Sequence, residues 1–222
     1  MHSIFTNNKR LLSCASIAVG YKQLLERRRG SAYSPDEYAK ALLPFSMPIF
    51  SYQAAKPASV PADVVIGYTE KAPNNRIETP SEVMDRLNGA TTKYVEHSHI
   101  HPELARFAQI GNLPLLCAID GEHRVGLYLR NGRPIRAVVS PTTYPAPAEL
   151  TVVEGAIGGW WLACSNSEVC HATGRSELSL PFPEVSVPLL LAYGAKIERR
   201  WRISLPAVHR QITPWKGRRS HT

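Results

Sequence analysis

The sequence predicts an α/β (α+β) protein with a mixed β-sheet core and a helical N-terminal extension. Three features indicate this class. Within the first 50 residues, apolar side chains recur at helical spacing. Residues 114–140 have the pattern of a strand, a glycine turn, a helix and a second strand. After residue 148, short apolar runs separated by turn residues are typical of strands.

The N-terminal extension, residues 1–57, is predicted to contain two helices. The first covers about 8–29, where apolar residues recur every three to four positions. The second follows Ser34, which is suited to be an N-cap because a proline comes next and Glu37 stands three residues after it. This capping box predicts a helix that ends near Pro44.

The core, residues 58–147, is predicted to begin with one strand and two helices. The apolar run at 64–68 predicts a short strand. A second capping-box pattern predicts a helix over 79–87. A histidine, a proline and a glutamate then predict a helix over 101–110.

The most informative feature follows in the middle of the chain. A buried strand over 115–119 leads into Asp120-Gly121, where glycine permits a positive φ. A helix is predicted from Glu122 to Arg130, and a second strand over 135–139. The free N–H groups and the dipole at the start of such a helix favour a bound anion, so a phosphate site is expected here.

The remaining part, residues 148–222, is predicted to be rich in strands, basic, and packed on the core. The predicted strands are 150–153, 160–164, 168–172 and 196–205, while 187–193 suits either a helix or a strand.

The charge of the chain points to a polyanionic partner. The formal net charge is +8, and no acidic residue follows Glu198. Such a cluster of cations suits DNA, RNA, a nucleotide or an acidic membrane surface, and equally a solvated face that keeps the protein soluble. We expect DNA, with the candidate contacts Arg199, Arg200, Arg202, Lys216, Arg218 and Arg219.

The location suggested by the sequence is the cytoplasm. No run of eighteen apolar residues is present, so no transmembrane helix is predicted. Two of the four cysteines, Cys14 and Cys117, lie in apolar runs and are expected to be reduced thiols in the core.

The turn sequence, residues 120–124, resembles the motif of the ParB/sulfiredoxin superfamily. Members of that superfamily carry a strand, then G-E-R-R or G-C-H-R, then a helix. The D-G-E-H-R sequence here shares Gly, Glu and the last Arg with the first form, and Gly, His and Arg with the second. The flanking segments 113–115 and 132–135 are also similar, and the resemblance covers roughly residues 60–145.

The resemblance implies a site for nucleotide phosphates, with ATP or another nucleotide as substrate. Gly121 and Arg124 would bind phosphate, since guanidinium offers a bidentate fork to its oxygens. Glu122 would hold Mg²⁺ or orient a water, and His123 would exchange a proton near neutral pH. Asp120 is a second candidate for the metal or for a substrate hydroxyl.

Departures from the motif narrow the function. Glu122 stands where sulfiredoxins have cysteine, which argues against sulfinic acid reduction. His123 replaces the second arginine of the ParB form, and no helix-turn-helix pattern follows, which argues against a partition protein. Plasmid fertility-inhibition and oncogenic-suppression proteins, associated with ATP hydrolysis and DNA cleavage, fit the size and the basic C-terminal part.

The resemblance therefore implies a nucleotide-binding phosphohydrolase, DNase-like, that inhibits conjugative DNA transfer. Such a protein would have a nucleotide, DNA and a component of a conjugation or secretion system as partners. Two alternatives remain open. One is a non-catalytic DNA-binding regulator with a ParB-like fold, and the other is a small-molecule kinase of the serine type, whose D-G-H-x-R signature residues 120–124 approach.

Overall fold

The computed structural model describes residues 8–29, 33–68, 79–97, 103–155 and 158–200, without the side chains of 29, 92–97 and 200. The helices in these ranges are α1 (Lys9–Arg29), α2 (Pro35–Leu42), α3 (Pro80–His97), α4 (Val125–Arg130), α5 (Ser167–Thr173) and α6 (Pro183–Tyr193). The strands are β1 (Lys56–Val60), β2 (Val65–Ile66), β3 (Arg106–Ile110), β4 (Leu116–Asp120), β5 (Ile135–Thr142), β6 (Leu150–Gly155), β7 (Trp160–Cys164), β8 (Glu177–Ser179) and β9 (Lys196–Arg200). The predicted mixed α/β class is confirmed.

The first sheet carries the predicted turn. Its strand order within the described ranges is β1-β5-β3-β4-β2. The pairs β5–β3 and β4–β2 are parallel, whereas β1–β5 and β3–β4 are antiparallel. Leu116 and Cys117 of β4 are fully buried, because this strand has a neighbour on each side and helices above it. That position explains why β4 is a continuous apolar run rather than an alternating one.

The second sheet has the order β8-β7-β6-β9 in the part of the chain described. β6 pairs antiparallel with β7 and parallel with β9. Val152 and Leu162 stand opposite one another and are fully buried, so one face of this sheet closes on the core. Trp161 lies on the other face against Gly155 and Gly159, where a β-carbon would come within 2.4 Å of its ring.

The N-terminal helices pack into the same hydrophobic core as the two sheets. The hydroxyl of Tyr38 in α2 donates to the carbonyl of Ala18 in α1, at 2.6 Å. Phe182, at the start of α6, contacts the rings of Tyr21, Tyr33 and Tyr38, with centroids 5.6–5.8 Å apart. One cluster of buried residues therefore joins α1, α2, both sheets and α6.

The segment before the central turn differs from its prediction. The sequence predicts a helix over 101–110, but Arg106–Ile110 is a strand, β3, between β4 and β5. Phe107, Ala108 and Ile110 are fully buried there. A short apolar run is compatible with a helix or a strand. Here the hydrogen bonds to β4 on one side and β5 on the other stabilise the strand.

The predicted strand over 168–172 is also wrong, because Ser167–Thr173 is the helix α5. The amide N–H of Val169 donates to the side chain of Asn166 at 3.1 Å, which caps the helix start. Gly174 ends the helix at a φ of 68°. The caps Asn166 and Gly174 stabilise the helix more strongly than the five-residue apolar pattern at 168–172 favours a strand.

The predicted helix over 122–130 is shorter than expected. Glu122–Arg124 forms a 3₁₀ turn, and the α-helix covers only Val125–Arg130. The helix dipole at the turn is therefore weaker than that of the uninterrupted helix predicted.

Several other predicted elements are confirmed. The strand predicted over 64–68 is shorter, Val65–Ile66, and the helix predicted over 79–87 is longer, Pro80–His97. The strand predicted over 196–205 is described only for Lys196–Arg200. Helices α1 and α2 match their predicted ranges, and α2 has the capping box of Ser34 and Glu37. The segment 187–193, left open between helix and strand, lies in α6. Strands β1 and β8 were not predicted. A proline at position 57 argues against a strand when the sequence is read alone. Because β1 lies at the edge of the sheet, the proline is tolerated there.

The predicted boundaries of the three parts, 1–57, 58–147 and 148–222, stay predictions. β1 starts at Lys56 and pairs with β5 from Lys56↔Val139 to Val60↔Ile135. A 3₁₀ turn at Pro147–Glu149 joins the first sheet to β6.

Candidate functional site

The topology gathers polar side chains at one edge of the first sheet. β2 and β4 run parallel, so Tyr68, just after β2, lies beside the turn that follows β4. β3 runs antiparallel to β4, so Arg106 at its start lies opposite Asp120. The candidate site is therefore this edge, with the turn at 120–124 in its centre.

Two glycines allow the turn to pack closely. Gly121 has a φ of 73°, as predicted for this position. A β-carbon there would stand 3.2 Å from that of Ala105. At Gly67 a β-carbon would lie 2.4 Å from Val125 and 2.8 Å from the Glu122 carbonyl, which accepts a hydrogen bond from the Tyr68 N–H at 3.0 Å. The two residues that follow β2 thus contact the turn directly.

Asp120 is engaged by neighbours in the same sheet. One carboxylate oxygen accepts from the Gly121 N–H at 2.8 Å, and the other pairs with the guanidinium of Arg106. Arg106 also donates to the Tyr52 hydroxyl. Asp120 is accordingly placed to hold the backbone of the turn, and the sequence offered no signal for its partner, Arg106.

Arg124 is anchored as well. Its guanidinium donates to the backbone carbonyl of Glu103, and its own N–H donates to the Gly121 carbonyl at 3.0 Å. The side chain is half-buried. A guanidinium has five N–H donors, so this anchor fixes its position and leaves donors for a phosphate.

Glu122 and His123 form the exposed pair of the site. The side chains are 31% and 68% exposed, and Oε1 of Glu122 lies 3.4 Å from Nε2 of His123. The His123 ring stacks on that of Tyr68, with centroids 4.7 Å apart and planes at 14°. A carboxylate next to an imidazole can move a proton to or from a bound substrate.

Helix α1 adds a lysine that the sequence did not indicate. Lys22 is 1% exposed, pairs with Glu26 one turn later, and has its ammonium 4.7 Å from the centre of the Tyr68 ring. Burial lowers the pKa of Lys22, and the carboxylates of Glu26 and Glu122 oppose that effect. Only the tertiary packing of α1 brings this cation near the turn.

Negative charge at the site also acts on Tyr68. Burial raises the pKa of Tyr68, and Glu122 and Glu26 raise it further. The phenol therefore stays protonated near neutral pH and serves as a neutral stacking surface.

Two of the basic candidates for DNA contact fall within the described residues, and both are on the second sheet. Arg199 is on β9 of the second sheet, where its Nε lies 3.1 Å from the Glu154 carboxylate. Arg200 is described by its backbone, in β9. Arg202, Lys216, Arg218 and Arg219 lie outside the described residues.

The fit of Mg²⁺ depends on Glu122. Among the residues that the structure describes, no group of three His, Cys, Asp or Glu side chains is arranged to hold a metal ion. Mg²⁺ in nucleotide sites is usually held by one or two carboxylates together with phosphate oxygens and water. The half-exposed Glu122 fits that arrangement, whereas Asp120 is occupied by Arg106.

Comparison with family models, with curated proteins and with solved structures finds no match to this chain. Across the described ranges, no helix has the length and apolar character needed to cross a membrane.

Proposed function

We propose that this protein binds a nucleotide at the 120–124 turn and hydrolyses its phosphoanhydride bond. The observation that carries the proposal is the exposed Glu122–His123 pair, 3.4 Å apart, on a turn whose glycine has a φ of 73°. Phosphoryl transfer depends mainly on positioning and on compensating charge, and this edge supplies both.

The residues divide into positioning and proton-transfer roles. Arg124, fixed by the Glu103 carbonyl, binds a phosphate oxygen, and Asp120 with Arg106 keeps the turn in shape. Glu122 accepts a proton from the attacking water, and His123 donates one to the leaving phosphate. Mg²⁺, held by Glu122 and the phosphates, would neutralise negative charge.

The biological role proposed is inhibition of conjugative DNA transfer. It rests on the resemblance of residues 120–124 to the ParB/sulfiredoxin motif and on the net charge of +8. DNA and a component of the transfer machinery would be the partners, with Arg199 among the candidate contacts.

The test is phosphate release from ATP and from CTP with Mg²⁺, with and without DNA, in wild type and in Glu122→Gln. Glutamine keeps the size of the side chain but cannot accept the proton. We expect turnover in the wild type and a loss of about a hundredfold or more in the variant.

The matched control is Glu168→Gln on α5, an exposed glutamate outside the first sheet. It should retain full turnover. No turnover in wild type with salt-dependent DNA binding would replace the proposal by a DNA-binding regulator. ADP formation only after a hydroxyl acceptor such as serine is added would replace it by a kinase.

A further inference from the structure

A polar cleft lies between α3 and the β1–β5 pair, and none of its lining residues belongs to the 120–124 turn. Its volume is about 320 Å³, at the small end of the range for small-molecule sites. One wall is helix α3, with Asp85, Asn88 and Gly89; the other walls are Ser59 of β1, Arg136 of β5 and the Arg133-Pro134 loop. Ser59 and Arg136 are direct partners in the antiparallel pair.

Arg133 is held in place at one end of this cleft. Its guanidinium donates to Asp85 at 2.5 Å and to the Ser81 hydroxyl at 3.1 Å, both on α3. These two bonds use part of its donor capacity and fix its plane. A cation whose geometry is already set loses less entropy when it binds an anion.

Arg136 supplies the second cation. Its backbone N–H donates to Oδ1 of Asn88 at 2.9 Å, which places the strand against the helix. In the described part of the chain, no hydrogen bond or ion pair involves its guanidinium, which is exposed. The charges that line the cleft are thus two arginines and one aspartate, and Arg133 already neutralises the aspartate.

Asn88 contributes donors rather than an acceptor. Its Oδ1 receives the Arg136 N–H and lies 3.0 Å from the Tyr128 hydroxyl. Because the oxygen is fixed by these contacts, the side-chain NH₂ group is left to donate. Donors from the helix, the strands and the loop then surround one space.

We propose that this cleft binds the phosphate group of a small phosphate monoester. Two guanidinium groups, an amide NH₂ and the Ser59 hydroxyl approach from three directions, which suits the tetrahedral oxygens of phosphate better than a planar carboxylate. The site is separate from the proposed hydrolytic turn and does not depend on it.

The test is an NMR titration of backbone amides with ribose 5-phosphate, with inorganic phosphate, and with a short single-stranded DNA that lacks terminal phosphates. We expect ribose 5-phosphate and inorganic phosphate to give saturable shifts centred on Ser59, Asn88 and Gly89. Arg136→Ala should weaken the affinity about tenfold or more. Arg175→Ala removes an exposed cation elsewhere and is the matched control.

A second variant tests the cleft without removing charge. A β-carbon at Gly89 would have no atom within 4 Å, so Gly89→Leu fills open space and favours the helix. It should abolish the titration shifts, keep the dispersed spectrum of a folded protein, and leave any phosphate release at the 120–124 turn unchanged.

Three results would overturn the proposal. The first is the absence of saturable shifts at the cleft. The second is an equal loss of affinity in Arg136→Ala and Arg175→Ala, which would show a general charge effect. The third is saturation by the DNA alone, which would assign the cleft to phosphodiesters of a nucleic acid.

Discussion

Lys22 is the buried charge whose removal tells most about the site. It is 1% exposed and forms an ion pair with Glu26, whose side chain is itself only 10% exposed. Lys22→Met keeps the length of the side chain but removes the ammonium that pairs with the Glu26 carboxylate. We expect the free energy of unfolding to fall by about 3–5 kcal/mol, measured by urea denaturation at neutral pH.

The double variant Lys22→Met/Glu26→Leu is the control for this loss. Replacing both charges should recover most of the stability, since a buried pair often contributes no more than apolar side chains of the same volume. If the double variant loses the sum of both single effects, the two residues are not coupled and the ion pair is unimportant.

The pH dependence of the same variants has a definite sign. Burial lowers the pKa of Lys22 in the folded state, so the folded protein binds fewer protons than the unfolded chain between that pKa and the usual lysine value. The titration of Lys22 should therefore make the free energy of unfolding of the wild type rise with pH across this window. Lys22→Met should lack this rise.

At the residue scale, the sequence predicted the centre of the site but not its surroundings. Residues 120–124 stood out because a glycine, two acids, a histidine and an arginine follow a buried strand. Arg106, Tyr68 and Lys22 precede Asp120 by 14, 52 and 98 positions along the chain. No local pattern marks such residues, since only sheet register and helix packing bring them together.

At the element scale, the capping box of α2 allows a direct test. The Glu37 N–H donates to Oγ of Ser34 at 3.2 Å, and the Ser34 N–H donates to the Glu37 carboxylate at 3.1 Å. Ser34→Ala removes the first bond, so we expect a loss of about 1 kcal/mol in the free energy of unfolding. Ser34→Thr keeps the hydroxyl and should lose much less.

The effect of Ser34→Ala should also depend on pH. The bonds from the Ser34 backbone and side chain lower the pKa of Glu37 in the folded state. A lowered carboxyl pKa stabilises the fold above the usual glutamate pKa, and this contribution disappears as the pH falls through the folded value. The backbone bond remains in the variant, so only the contribution of the hydroxyl is lost. The difference between wild type and variant should shrink in acid, and a constant difference would show that the Ser34 hydroxyl does not lower the pKa of Glu37.

The capping box before α2 predicted the correct element, whereas the helix-start pattern before β3 predicted the wrong one. Helix α2 was predicted from Ser34 and Glu37, whose bonds are local and independent of the rest of the fold. Strand β3 was predicted as part of a helix because the sequence His-Pro-Glu at 101–103 has the pattern of a helix start. Its state is set by β4 and β5 on either side, which is a property of the sheet and not of the segment.

At the scale of the whole molecule, Phe182 joins the N-terminal helices to the C-terminal part. Its ring contacts Tyr21, Tyr33 and Tyr38, and it is only 6% exposed. Phe182→Ala should lower the free energy of unfolding by about 3–5 kcal/mol, because it opens a cavity between α1, α2 and α6. Phe182→Leu retains most of the apolar volume and should cost less than half as much.

The same variant tests whether the N-terminal segment unfolds with the rest. All four tryptophans lie after residue 148, so tryptophan fluorescence reports the C-terminal part, whereas far-UV circular dichroism includes α1 and α2. With one continuous core, both signals should shift together in Phe182→Ala and keep a common midpoint. An earlier transition in circular dichroism alone would show that the N-terminal helices form a separate unit, as the predicted boundary at residue 57 implies.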